Sequence, residues 1–286
     1  MKKNLIILCA VLLASAFTAC SARPEKVCYL VGYGDGSSVT YEPQITIPQW
    51  SGGSFKSGSA KEEAGIEFDG VYYEGKYKQS KYIGHNSFAI DYYVTENLFS
   101  FGLNAETGKL VYLEFAAPEY IENEISLDDV ENVEIATKEI AEGYLSEFAD
   151  LSAYTEQDFY ARTIDTDGNG EAEMTLFTYA FVRKVNGMNS SDGLSITVSS
   201  KGHLINLAVG DVGAFSSIPD EELESFASVD ADNMIMTALA EKAPELKNPK
   251  FEGAGYAVTP EGELVLMARC SGSMEDYDVG FEFMIK

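Results

Sequence analysis

Apolar and polar positions follow two periods along this chain. From 26 to 117 the apolar residues alternate or gather in short runs. Val27-Cys28-Tyr29-Leu30-Val31 precedes a glycine-rich turn at Gly32–Gly36, and residues 66–78, 86–95, 97–103 and 109–115 are rich in Tyr, Phe, Val and Ile. Those side chains suit pleated, half-buried strands. The small polar residues at 51–60 predict a mobile loop, and Asn104–Gly108 has the chemistry of a hairpin turn. Over 127–149 the period lengthens. Val130, Val133, Ile140, Tyr144 and Phe148 recur at helical spacing opposite Glu131, Glu134, Lys138 and Glu142, with Ser126 and Asp129 placed as a capping pair. Strands resume near Phe159 and include 172–184, 193–199 and 203–209. A second helical region follows Pro219, with acidic Asp220, Glu221 and Glu222 at its positive end, Asp230 as a further N-cap and Pro244 as its stop. Strands at 251–259, 263–270 and 277–285 close the chain.

The succession of strands, helix, strands, helix, strands predicts an α+β fold: antiparallel sheets with two amphipathic helices, arranged as helix-plus-meander units. Three segments, Asn104–Phe115, Val198–Val209 and Val258–Arg269, share a polar stretch, a glycine and an alternating apolar run, as a repeated hairpin would. The chain divides on this reading into a leader at 1–19, a β-rich region at 20–120, and units at 121–215 and 216–286. The stretch Tyr179-Ala180-Phe181-Val182-Arg183-Lys184-Val185-Asn186-Gly187, continued by Leu194–Val198 and Lys201-Gly202-His203-Leu204, resembles the PepSY-type and related cystatin-like repeats of exported bacterial proteins. That resemblance implies a mostly non-catalytic module, in some cases one that restrains peptidases.

Lys2 and Lys3 followed by the uncharged apolar run 5–19 read as a signal peptide, since a membrane span needs about 20 residues. Phe17-Thr18-Ala19-Cys20 resembles the lipobox of bacterial lipoproteins, with Phe17 where Leu is usual. The resemblance implies lipidation at Cys20 and a membrane anchor outside the cytoplasm. Ordinary cleavage after Ala16, using Ala14 and Ala16, is the alternative.

Charge narrows the partners. The chain carries 46 acidic against 20 basic residues, a net −26, which repels nucleic acid and anionic lipid surfaces. Of the cysteines outside the leader and the lipid position, Cys28 and Cys270 form either a disulfide or two separate thiols. With two histidines and no CxxC there is no zinc pattern. One loop has metal-site chemistry: Asp165-Thr166-Asp167-Gly168-Asn169-Gly170-Glu171-Ala172-Glu173 places oxygens at Asp165, Asp167, Asn169, Glu171 (through its carbonyl) and Glu173, as calcium requires. It lacks the closing Glu of an EF-hand, having Leu176 there, and an acidic turn is the competing reading.

Templates for hydrolase, protease and nucleotide chemistry are absent, and His203, after a turn, is expected at the surface. Tyr72, Tyr73, Tyr77 and Tyr82 with Lys76, Lys78 and Lys81 make a basic aromatic strand, and Trp50 is a candidate anchor. The resulting expectation is a lipid-anchored, non-enzymatic envelope protein that binds a peptide, a protein or a wall component. A carboxylate-dependent envelope hydrolase and a calcium-responsive surface protein are the alternatives. Cys20→Ser should abolish labelling by a fatty-acid probe and alter processing; undiminished labelling of that variant would contradict lipidation.

Overall fold

The structure, a computed structural model, describes residues 26–34, 42–44, 47–51, 53–96, 99–115, 133–164, 174–274 and 277–286. Its strands are β1 (Cys28–Gly34), β2 (Glu63–Phe68), β3 (Val71–Tyr82), β4 (Ala89–Val94), β5 (Phe99–Asn104), β6 (Leu110–Phe115), β7 (Tyr154–Ile164), β8 (Met174–Val185), β9 (Met188–Ser199), β10 (Leu204–Val209), β11 (Lys247–Val258), β12 (Leu264–Met274) and β13 (Tyr277–Ile285). The described helices are α1 (Val133–Leu145), α2 (Asp220–Phe226) and α3 (Ala231–Lys242).

All thirteen strands join one mixed sheet, which has two arms. The larger arm runs β2-β3-β4-β5-β6-β10-β9-β8-β7 and is antiparallel throughout. The smaller runs β11-β12-β13-β1. They meet where β11 pairs in parallel with the start of β9, at Gly255↔Asn189 and Tyr256↔Ser190. Four residues further along the same edge of β9, β10 takes over at Leu194.

This arrangement overturns the predicted α+β fold of helix-plus-meander units with antiparallel sheets and two helices. Strand dominates, the sheet is mixed, and three helices lie on it. The reason is physical: local periodicity specifies strands but not their remote partners. β10 continues onto β6 (Leu207↔Leu113), and β1 crosses the whole chain to pair with β13 (Cys28↔Ile285).

Hairpin chemistry explains the local steps. Asn186 and Gly187 both take positive φ (49° and 81°), so a two-residue turn joins β8 to β9, and β9 runs unbroken through 190–193. The three look-alike segments are hairpins of one kind. Gly202 donates to the Ser199 carbonyl and Ser199 to that of His203; Gly262 and Thr259 repeat this with Glu263, and Asn104–Lys109 does so with one extra residue. Loop residues 53–60 are pinned, contrary to the mobility expected of them. Phe55 bridges to Ser80, and the Ser57 and Ser59 hydroxyls donate to buried Asp91.

Each arm has its own core. In the larger arm α1 lies over β8 and β9, its Ala141 and Leu145 buried in one core with Tyr179, Ile196 and Val198. Its closest face is therefore Thr137, Ala141 and Leu145, whose small residues allow near approach, while the predicted stripe of Ile140, Tyr144 and Phe148 packs half-buried beside it. Thr137 meets the buried Tyr179 hydroxyl at 2.8 Å. In the smaller arm Leu223, Phe226, Ile235 and Leu239 cover Tyr256, Leu266, Phe281 and Phe283. Full burial of such side chains contributes about 1.5–3 kcal/mol each. Asp230 caps α3 as expected, accepting from the Asn233 amide, and Ala243 ends the helix before Pro244. On the opposite face of the smaller arm, Ala257, Val265, Met267 and Met284 form a minor core that Trp50 partly covers.

Candidate functional site

The seam between the arms is the place where sheet geometry leaves a cleft. Since β9 hands its edge from β11 to β10, the two strands must diverge there. Both approach β9 through glycine. A Cβ on Gly255 would sit 3.0 Å from the Asn189 carbonyl oxygen, and one on Gly210 would sit 2.5 Å from that of Ser191. Ahead of its contact with β9, β11 carries Glu252, Gly253 and Ala254 along an edge where no strand pairs among the described residues.

A cleft at the β11–β9 contact has a volume of about 400 Å³. Its walls are Asn189–Ser191 of β9, Glu252–Ala257 of β11, and the side chains of His85, Gln157, Arg269 and Glu282. Arg269 and Glu282 face each other across β12 and β13. The guanidinium donates to one Glu282 oxygen through Nε and Nη2, both at 2.9 Å, and His85 Nε2 lies 3.4 Å from the other. The His85 imidazole, and after it Arg269, hold the Glu282 carboxyl down to about 2, against the opposing effect of partial burial. Glu282 is thus a committed carboxylate, unsuited to donate a proton near neutrality. The Arg269 side chain is 66% exposed and remains open to a ligand.

The segment between β3 and β4 fastens the seam with three consecutive residues. His85 reaches Glu282 of the smaller arm. The Asn86 carbonyl accepts from Trp50 Nε1 at 3.0 Å, and the Trp50 ring packs edge-on against His85, 5.0 Å between centroids. Ser87 donates its amide (2.8 Å) and hydroxyl (2.7 Å) to Asp211, just after β10. Asp211 also accepts from the Ser191 hydroxyl at 2.5 Å. Burial raises the Asp211 carboxyl, these donors oppose that, and nearby Asp192 adds to it. Asp192 itself takes Tyr154 Oη and the Gly213 amide, with Arg183 at 3.6 Å. Two neighbouring buried carboxylates are what a hydrolase reading calls for, yet the oxygens of both are occupied by structural donors.

The residues singled out from sequence fall as follows. Cys20 and the calcium loop, Asp165, Asp167, Asn169, Glu171 and Glu173, lie outside the described residues. Cys28 and Cys270 are free thiols on β1 and β12, strands that β13 separates by two spacings of about 4.8 Å, beyond the roughly 7 Å reach of a disulfide. Burial pushes them to about 11 and about 12, which leaves both thiols unreactive. His203 is buried rather than exposed. The tyrosine strand is largely packing: Tyr73 lies against Phe99, Tyr77 against Tyr93 and Tyr82 against Phe55, while Tyr72 stays open. Tyr72 borders a second depression of about 610 Å³. It is larger than the seam cleft, but it sets Glu63, Glu74, Asp91 and Glu106 against Lys61 alone, and Asp91 is already engaged by serines. Of the residues at this cleft and its fastening, the sequence singles out Trp50; it does not single out Arg269 or Glu282.

No protein-family model matches the chain, and no curated protein matches it. Among solved structures, the C-terminal domain of YpeB from Bacillus megaterium is similar over 76% of this chain and 80% of that one, at 12% identity and a TM-score of 0.29. A score that low carries no inference about fold or role.

Glu282 yields a pH test. A carboxyl depressed on folding contributes stability above its ordinary value of 4.5, and that contribution is lost as pH falls towards about 2. Glu282→Gln should therefore lower stability at pH 6 by about 1 kcal/mol, solvent screening included. The gap to the parent should narrow between pH 4.5 and 2.5. Urea midpoints across that range measure it, and a gap independent of pH would remove the ion pair from the account.

Proposed function

We propose that this chain is a lipid-anchored, non-enzymatic envelope protein that holds an extended peptide segment, from a protein or a wall component, in the seam cleft. The observation that carries the reading is the unpaired edge of β11 beside an exposed guanidinium. An extended backbone can add to a free strand edge through main-chain hydrogen bonds, with pockets for alternate side chains supplying selectivity. Arg269 offers a donor to a ligand carboxylate or carbonyl, and His85, backed edge-on by Trp50, forms part of the wall. Lipidation at Cys20 would place this cleft at a membrane surface. A net charge of −26 favours ligands that are neutral or basic apart from the group that meets Arg269. The alternative of carboxylate hydrolysis is disfavoured because Glu282, Asp192 and Asp211 are each tied to protein donors.

Photocrosslinking in intact envelopes tests the reading. A benzoylphenylalanine at position 252, an exposed residue of the cleft wall, should give discrete adducts with a peptide-containing partner. The same group at position 109, on the β5–β6 turn, should not. Arg269→Ala should cut the adduct yield at 252 several-fold. Equal yields at 252 and 109, or none at either, would contradict peptide binding in the cleft.

A further inference from the structure

The outer edge of the larger arm is β7, an eleven-residue strand that pairs with β8 alone. Its N–H and C=O groups on the far side form no ladder among the described residues, and such an edge is a template for another strand. Proteins usually protect long edges by bulges or by like charges. The one bulge in β7 is confined to 156–158, and pairing with β8 is regular from Asp158↔Ala180 to Arg162↔Leu176. Over that regular stretch Asp158, Tyr160, Ala161 and Arg162 are exposed, and Tyr160 is 56% exposed, a large aromatic left open.

The order of these residues is self-complementary. Asp158, Tyr160 and Arg162 alternate onto one face of the strand, with opposite charges placed two residues to either side of the tyrosine. An antiparallel copy of β7 turned about a two-fold axis at Tyr160 would set Asp158 against Arg162 of the second copy, Tyr160 against Tyr160, and Arg162 against Asp158. Opposite charges and paired aromatics directly across a ladder stabilise it, whereas a charge pattern that served as protection would bring like signs together. The remaining face keeps Phe159 turned inward against Phe177 and Tyr179, so pairing would not disturb the core.

We infer that β7 is the dimerisation edge of this protein: a second copy of the chain pairs antiparallel through β7, centred on Tyr160, and extends the two larger arms into one continuous sheet. This is a closed two-fold contact, so it stops at a dimer. The contact is centred on Tyr160, while Gln157, nearer the start of β7, lines the cleft beside β11, so the dimer edge and the cleft adjoin. The net negative charge of each copy opposes approach, but at about 0.15 M salt screening over roughly 8 Å limits that repulsion to groups near the contact.

The test uses the full chain in intact envelopes. Tyr160→Cys, treated with a mild oxidant, should yield a disulfide-linked dimer on non-reducing gels, while the parent chain and Tyr160→Ser should not. In the Tyr160→Cys background, Asp158→Arg alone or Arg162→Asp alone sets like charges opposite each other and should reduce the dimer at least fivefold. The double reversal, Asp158→Arg with Arg162→Asp, should restore it. A dimer band that appears equally in parent and variant would overturn the proposal, as would the absence of any band. A yield indifferent to the charge reversals would overturn it too.

Discussion

Everything that distinguishes this molecule from two separate sheets depends on one edge of β9. That edge serves two strands in turn: β11 at Asn189 and Ser190, then β10 from Leu194 onward. A strand edge can serve one partner at a time, so β10 and β11 must part, and the cleft lies at the β11–β9 contact. Gly210 and Gly255 permit the backbones to come close enough. Both strands of that contact line the cleft, so a change that loosens the joint alters the cleft.

The joint is short in backbone terms, with two parallel pairs, so side chains complete it. His85, Asn86 and Ser87 each engage a different piece of the structure: Glu282 on β13, Trp50, and Asp211 beyond β10. The cost of burying Asp211 is offset by three donors, and removing them would leave an unpaired buried carboxylate, an expensive state. This dense polar fastening explains why the buried acids of the seam read as structural. The groups left open to a ligand are those at the cleft mouth, chiefly Arg269 and the backbone of β11.

Much of the local structure was legible in the sequence, because it is encoded locally. Asn186-Gly187 specified its turn, Gly202 and Gly262 specified theirs, and Asp230 specified the start of α3. The Arg269–Glu282 pair is also encoded over a short span: the two residues lie thirteen apart in the chain and face each other across neighbouring antiparallel strands. The pairing of β1 with β13, of β6 with β10 and of β9 with β11 was not legible. Each joins segments far apart in the chain, and hydrophobic alternation is the same whichever partner a strand finds. The helix-plus-meander reading failed for that reason: it supplied local partners to strands whose edges are filled from elsewhere. Likewise nothing in the run 51–60 signals that buried Asp91, on β4, will hold its serines.

Trp50 is the sole tryptophan of the chain and touches both arms, through Asn86 and His85 on one side and the Met267–Met284 core on the other. Its fluorescence during urea unfolding, set beside backbone circular dichroism, therefore reports the joint directly. In the parent the two signals should fall together, as one cooperative transition. In Gly255→Val, where a side chain would collide with the Asn189 carbonyl, the tryptophan signal should change at lower urea than the bulk of the strand signal. Coincident transitions in that variant, at the midpoint of the parent, would contradict the claim that the close approach of β11 to β9 joins the two arms.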